Sequence, residues 1–248
     1  MQLQGKTALV TGATTGIGRA AAERFLEEGV AHLFVTGQDE GRLEAARAEL
    51  DQGGGRVTAL RWRAEEVTDG EAVRAAIERK AGRLDVAFVN AGVCWPAPFG
   101  TIDAAEAQRQ FMVNVTGPLM LMQAVSPLVS EGGSIVLTTS CIDVMGMEGM
   151  AVYAASKAAL RSLARTLSAE LRDRRIRVNA VAPGPIETPI LAKLGMGTDD
   201  LAAMIELVPA RRFGQPGEIA GAVAFLASDA SRYVLGEEIN VDGGWANL

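Results

Sequence analysis

Histidine occurs once, at position 32, and cysteine twice, at 94 and 141, in a chain of 248 residues. Ligands so few and so scattered leave no metal cluster (metal: none) and no disulfide framework, and they point to a reducing setting. Serine-hydrolase chemistry is excluded as well. No Gly-x-Ser-x-Gly pentad occurs, and His32 opens a strand-like run, the wrong end of a sheet for a catalytic base. Lysine and arginine form no patch: Arg172, Arg174 and Arg175 are interrupted by Asp173, and the net charge is −6. That balance argues against a phosphate-backbone partner, so no nucleic acid is expected. No window reaches about 18 uninterrupted apolar residues, and Met1 to Lys6 lead into the first apolar run without a signal core. The expectation is a cytoplasmic protein with no membrane partner. There is no repeat, low-complexity tract or linker, so residues 1–248 read as a single domain.

What the chain does have is apolar content, 48% of residues, enough for a sizeable core. Short apolar runs alternate with amphipathic stretches. Thr7–Val10 precedes a glycine turn and a helix reaching Gly29 with Ala22, Phe25 and Leu26 inward. His32–Val35 precedes a helix near Glu40–Leu50, and Val57–Leu60 one near Glu71–Lys80. Asp85–Asn90 is followed by a long helical stretch, Asp103–Leu128. Ser134–Thr138 reads as a fifth strand, before a helix with the stripe Leu160, Leu163, Leu167 and Leu171. Ile176–Val181 is a sixth strand ending at Pro183-Gly184, and Glu238–Val241 follows a helix at Pro216–Ser228 as the seventh. Strands that are continuous apolar runs, alternating with helices, predict a parallel sheet of about seven strands with helices on both faces.

In such a sheet the ligand site lies outside the carboxyl ends of the strands. Four features fall on that rim: the turn Gly12 to Gly18, Asn90-Ala91-Gly92, Ser140 and Pro183-Gly184. A glycine turn between a first strand and a helix lets backbone approach a pyrophosphate at a helix N-terminus, where free N–H groups and the dipole favour an anion. Its spacing, Gly-x-x-x-Gly-x-Gly, departs from the commoner Gly-x-Gly-x-x-Gly. Tyr153 and Lys157, four apart on a helix, share one face. An ammonium beside a phenol brings the phenol's proton within reach of working pH, which suits a general acid. The pair fits equally a half-buried tyrosine with a solvated lysine.

Taken together, Thr11-Gly-x-x-x-Gly16-Ile-Gly18, Asn90-Ala-Gly92, Asn114, Ser140, Tyr153-x-x-x-Lys157, Pro183-Gly184 with Thr188, and Val241-Asp242-Gly243-Gly244 resemble the short-chain dehydrogenase/reductase family. The bacterial ketoreductase and secondary-alcohol dehydrogenase members are the nearest in flavour. The resemblance spans nearly the whole chain and implies a Rossmann-like, doubly wound α/β domain. It implies an oxidoreductase moving a hydride between a nicotinamide cofactor, NAD or NADP, and a carbonyl or secondary alcohol. In its terms Tyr153 is the general acid/base and Lys157 lowers the phenol's pKa and holds the nicotinamide ribose. Ser140 hydrogen-bonds the carbonyl oxygen, and Asn114 holds a water of a proton relay. Gly12, Thr14, Gly16, Ile17 and Gly18 would cradle the pyrophosphate, with Asn90, Ala91 and Gly92 along the adenosine ribose. Pro183, Gly184, Ile186 and Thr188 would stand at the nicotinamide end, where Tyr153 and Lys157 also touch cofactor. Near the adenosine 2′ position Thr15 and Gln38 bring no positive charge and Asp39 would repel a phosphate, which tips the balance to NAD. Arg63-Ala64-Glu65-Glu66-Val67 stands where the family has Asp-Val under the adenine. A non-enzymatic NAD(P)-binding sensor on the same fold is the alternative, with the full Asn, Ser, Tyr and Lys set against it.

The loops expected over the substrate are Val93–Pro96, Cys141–Met147 and a lid-like segment from Pro185 to Phe213. Methionines 145, 147, 150, 196 and 204 suit an adaptable apolar pocket, or core and interface filling equally. Cys141 reads as a pocket wall, since nothing near it in sequence would make a thiolate. The family resemblance also implies a homo-oligomer, dimer or tetramer, through the helices at 103–128 and 153–172 and the last strand. Leu119 to Met122 fit such a face or a core.

Overall fold

The computed structural model describes residues 1–193 and 197–248. The strands are β1 (Thr7–Val10), β2 (His32–Gly37), β3 (Val57–Arg61), β4 (Leu84–Val89), β5 (Val129–Thr138), β6 (Arg177–Pro183) and β7 (Glu238–Val241). All pair in parallel in the order β3-β2-β1-β4-β5-β6-β7. The chain winds outward from β1 to β3, then restarts at β4 on the other side of β1. The loops after β1 and β4 therefore part, leaving a crevice between them.

Alternation along each strand divides the core into two layers. Ala8, Val10, Leu33, Val35, Val86, Phe88 and Val136 pack on one face, against α1 (Gly16–Glu27), α2 (Glu40–Asp51) and α9 (Pro216–Ala227). Leu9, Phe34, Ala87, Val89, Ile135 and Leu137 pack on the other. There they meet α3 (Val67–Ala81), α5 (Gly117–Val125) and α6 (Ala151–Glu170). At about 25 cal/mol per Å² of apolar surface, this double layer is the main stabilising contribution.

The stretch expected as one helix over 103–128 is divided into α4 (Ala104–Phe111), a π-helical turn Met112–Thr116 and α5, with a 3₁₀ turn Ser126–Leu128. Asp103 caps its start, its carboxylate accepting from the Glu106 N–H at 2.9 Å. Ala104–Leu128 is the one helical stretch among the described residues long and apolar enough to cross a membrane. It packs on the sheet instead: Leu121 and Met122 are core residues and Leu119 lies against them. Strand β5 starts earlier than Ser134, since Val129 pairs with Leu84 across a register shift that Glu131-Gly132-Gly133 disguises in the sequence.

Between Pro185 and Gln215 the chain leaves the sheet as α7 (Pro189–Lys193) and α8 (Thr198–Leu207). Its two ends are tied together: the Glu187 N–H donates to the Gly214 carbonyl at 2.9 Å and the Gly214 N–H to the Pro185 carbonyl at 3.0 Å.

One buried group is sensitive to pH. Asp143, in the short turn after β5, meets Glu238 of β7, with Arg161 paired to Glu238 at 3.1 Å and Arg165 also near. Both Asp143 carboxylate oxygens and Oε1 of Glu238 are buried without a donor. A proton shared between the two carboxyls satisfies them, and burial, with Glu238 next, pushes Asp143 up to about 7. The unfolded chain releases that proton near 3.8. The stability it supplies is therefore fully present below that value and lost as pH rises through about 7. His32, lowered by burial, works in the opposite direction. The expected result is thus a difference: Asp143→Asn should flatten the fall in melting temperature between about pH 5 and pH 8 by a few degrees. Parallel wild-type and variant curves would rule out the shared proton.

Candidate active site

The rim of the crevice carries the expected residues, and it is held together by backbone contacts. Thr11, at the end of β1, accepts through Oγ1 from the N–H groups of Asn90 and Ala91 at 2.9 and 3.0 Å, clamping the loops after β1 and β4 together. Asn90 Nδ2 returns a bond to the Thr11 carbonyl, and Thr138 Oγ1 reaches Asn90 Oδ1. The glycines fit the same frame. A Cβ on Gly16 would stand 3.2 Å from Thr188 Cγ2, and one on Gly18 would be driven into the Gly12 carbonyl. Gly18 thus lets α1 close against the loop from behind and does not itself face the cleft, in contrast to the cradling expected of it.

The cleft has a volume of about 480 Å³, within the range of small-molecule sites. Gly12, Thr14, Thr15, Gly16, Ile17 and Gln38 line it, as do Asn90 to Gly92 and Pro183, Gly184, Ile186 and Thr188. Ser140, Tyr153 and Lys157 stand on its wall. Ser140 ends the fifth strand's extension. Tyr153 lies in the first turn of α6 and Lys157 one turn later, which aims both back over the strand ends. Lys157 Nζ donates to the Thr138 carbonyl at 2.8 Å and lies 5.6 Å from the centre of the Tyr153 ring.

Asn114 is placed differently. It is fully buried in the π turn, behind the cleft wall, with Oδ1 accepting from the Val93 N–H at 2.8 Å and Nδ2 donating to the Val93 carbonyl and Ser156 Oγ. The extra residue in that turn presents a polar side chain to a loop that a regular helix would meet with Val113 or Val115. A Cβ on Gly92 would stand 3.2 Å from Asn114 Oδ1 and 3.3 Å from Lys157 Nζ, so the three converge.

Burial is the largest influence on the pair. It pushes the Tyr153 phenol above its ordinary value, with Cys94 adding to this and the Ser140 side chain pulling the other way. It also brings Lys157, whose ammonium donates to the Thr138 carbonyl, down to about 8. Cys94 and Cys141 are raised, mainly by burial, to about 11 and about 12, so both are neutral thiols.

Trp62, just past β3, escaped the sequence reading and lines the cleft. Of the stretch expected under the adenine, Ala64 also lines it, whereas Glu65 pairs with Arg109 and Glu66 precedes α3. A tryptophan at a strand's carboxyl end was the available signal. Arg42, one turn into α2, also lines the cleft, so a cation does stand near the 2′ end. Asp39 lines it too, while its carboxylate caps α2 by accepting from the Arg42 N–H at 2.8 Å. Trp95 stacks instead on Arg109, 5.1 Å away. Met147, Met150 and Met204 line the cleft, Met145 does not, and Met196 lies outside the described residues.

Residues 12–246 match the family model described as enoyl-(acyl carrier protein) reductase. The chain is 39% identical to oxidoreductase asL5 of Sarocladium schorii, over all of this chain and 98% of that protein. It is 37% identical to the 3-oxoacyl-[acyl-carrier-protein] reductase FabG of Thermotoga maritima, over 98% of this chain and 99% of that one. Among solved structures it resembles a short-chain dehydrogenase/reductase from Serratia marcescens, at TM-score 0.92 and 30% identity over 99% of this chain and 100% of the other. A blue fluorescent protein from a metagenomic library, in complex with NADPH, superposes with TM-score 0.92 at 32% identity over 99% and 100% of the two chains. The chain belongs to the short-chain dehydrogenase/reductase family of NAD(P)-dependent oxidoreductases, which act on CH–OH and C=O groups.

Proposed function

We propose that this protein interconverts a small ketone or aldehyde and its alcohol, with Tyr153 exchanging the proton. The observation that carries the reading is the meeting of Ser140, Tyr153 and Lys157 on one wall of the cleft into which the Gly12–Ile17 loop opens. The nicotinamide supplies or accepts the hydride. The chain's own residues do the rest. Ser140 Oγ donates to the carbonyl oxygen as negative charge builds on it, an effect worth about 3 kcal/mol for one well-placed donor. Tyr153 gives that oxygen its proton, and its raised pKa means that it arrives protonated at neutral pH, as reduction requires. Lys157, close to Gly92, would hold the nicotinamide ribose and pass a proton to the phenolate, regaining one from solvent; Asn114 fixes the Val93 loop beside them and supports that relay. Initial rates with NADH and NADPH against ketones, aldehydes and 3-oxoacyl thioesters test the reading. A complete absence of turnover with cofactor bound would favour a sensor.

For the cofactor we favour NAD over NADP. Gln38 is uncharged and the Asp39 carboxylate opposes an added phosphate, while Arg42 offers it a counter-charge from the same wall. Titration followed by fluorescence of Trp62 and Trp245, both of which line the cleft, should give tighter binding of NADH than of NADPH. Asp39→Asn, which retains the helix cap, should tighten NADPH about tenfold, and Arg42→Ala should weaken NADPH about tenfold with NADH unchanged. Equal responses of the two cofactors to both changes would refute the assignment. We further read residues 1–248 as one cytoplasmic domain assembling into dimers or tetramers, with Pro185–Phe213 as a lid. Sedimentation of the intact protein checks the assembly.

A further inference from the structure

We propose that the substrate is an uncharged, compact, apolar ketone or its secondary alcohol, and that the same skeleton carrying a carboxylate is rejected. The proposal rests on the hydride-transfer reading above and adds the substrate's charge. Beyond Tyr153 the cleft is walled by Cys94, Ile142, Met147, Met150, Ile190 and Met204. These come from five separate segments, so the apolar character belongs to the cavity as a whole. Among the described residues lining the cleft, the charged ones are Asp39, Arg42 and Lys157 alone.

None of the three is placed to receive a substrate carboxylate. Asp39 has the wrong sign. Arg42 stands with it after β2, three strand positions from β5 and Ser140, a separation of roughly 14 Å at the usual strand spacing. A ring substrate with its carbonyl at Ser140 spans about half of that. Lys157 donates to the Thr138 carbonyl, 5.6 Å from the centre of the Tyr153 ring, and is engaged in the proposed proton relay. Nor do the thiols supply charge, since both remain protonated at neutral pH. A carboxylate entering this end would lose its water and gain no counter-ion among the described residues, a penalty that a methyl group avoids. Shape is discriminated less than charge, because three methionines in the wall can repack around rings and short chains.

The test uses a matched pair, 4-methylcyclohexanone and 4-oxocyclohexanecarboxylate, with the intact protein and saturating reduced cofactor. The neutral ketone should exceed the acid in kcat/KM by at least about 100-fold. Binding is read separately by saturation-transfer NMR on cofactor-loaded Tyr153→Phe, where only the neutral ketone should give a signal. Met147→Arg, in the loop ahead of α6, should raise kcat/KM for the acid by about tenfold. Binding or reduction of the acid on a par with the neutral ketone overturns the charge selection and leaves hydride transfer intact. Binding of the neutral ketone alone, with neither ketone reduced by the wild type, overturns hydride transfer and leaves the charge selection intact. If neither ketone binds or reacts, the proposed substrate class is wrong.

Discussion

Tyr153→Phe is expected to lower kcat/KM by up to about 10⁴-fold, the upper end of the 10²–10⁴ range for a positioned general acid. The phenyl ring keeps the packing of the first turn of α6 and leaves Lys157 bound to the Thr138 carbonyl, so the fold and the cofactor cradle persist. Cofactor affinity should change by less than about twofold. Ser140→Ala should act on the same step with a smaller loss, about 10²-fold, because it removes one hydrogen bond to the oxyanion and leaves the proton source. Parallel rate and cofactor-titration measurements decide the matter. Retention of more than about a tenth of wild-type turnover by Tyr153→Phe would place the proton elsewhere.

The second large effect is on stability. Arg177, at the start of β6, is buried beneath the C-terminus of α9. Its Nη1 donates to the Leu226 and Ser231 carbonyls and to Ser231 Oγ, and its Nη2 to the Ser228 carbonyl. A cation there meets the negative end of the helix dipole and satisfies carbonyls that have no partner within the helix. Arg177→Met keeps the length of the side chain and loses every one of those bonds. The Leu226, Ser228 and Ser231 carbonyls keep donors in Ser134 Oγ, Ser231 Oγ and the Val234 N–H, so the loss is that of the charge-assisted bonds, about 2 kcal/mol, or about 6 °C in melting temperature for a chain of this size. Thermal unfolding by circular dichroism measures it, and a shift under about 2 °C would mean that water replaces the guanidinium without penalty.

Sequence alone went far toward the sheet, because a strand buried on both faces is written as an uninterrupted apolar run, as in Ala8–Val10 and Leu33–Val35. The rim rule then collected Ser140, Tyr153 and Lys157 without any knowledge of their distances. It failed where a contact depends on fine backbone geometry or on distant partners. The π turn at Met112–Thr116 leaves no mark in hydrophobic periodicity, although the lone polar Asn114 within it hinted at one. Arg42 lies beyond the residues directly after β2, and only the first turn of α2 brings it, three residues on from Asp39, back to the same wall. Asp143 and Glu238 meet across 95 positions of sequence, and no local pattern announces a proton shared at that separation. The adjacency of Tyr153 and Lys157 is likewise legible in sequence, while the burial that pushes the phenol up and the ammonium down is not.

The paired neck formed by Pro185, Glu187 and Gly214 closes the segment above it at its base, and the Ala210 N–H, donating to the Gly243 carbonyl at 3.0 Å, moors its later part to the turn after β7. Because its ends meet in their own short ladder, lengthening the part between neck and mooring adds only the slowly growing logarithmic cost of loop closure and does not pull on β6 or α9. Insertions near Ile190 and Met204 are therefore tolerated. The choice of alcohol or ketone can diversify while the hydride machinery below stays unaltered.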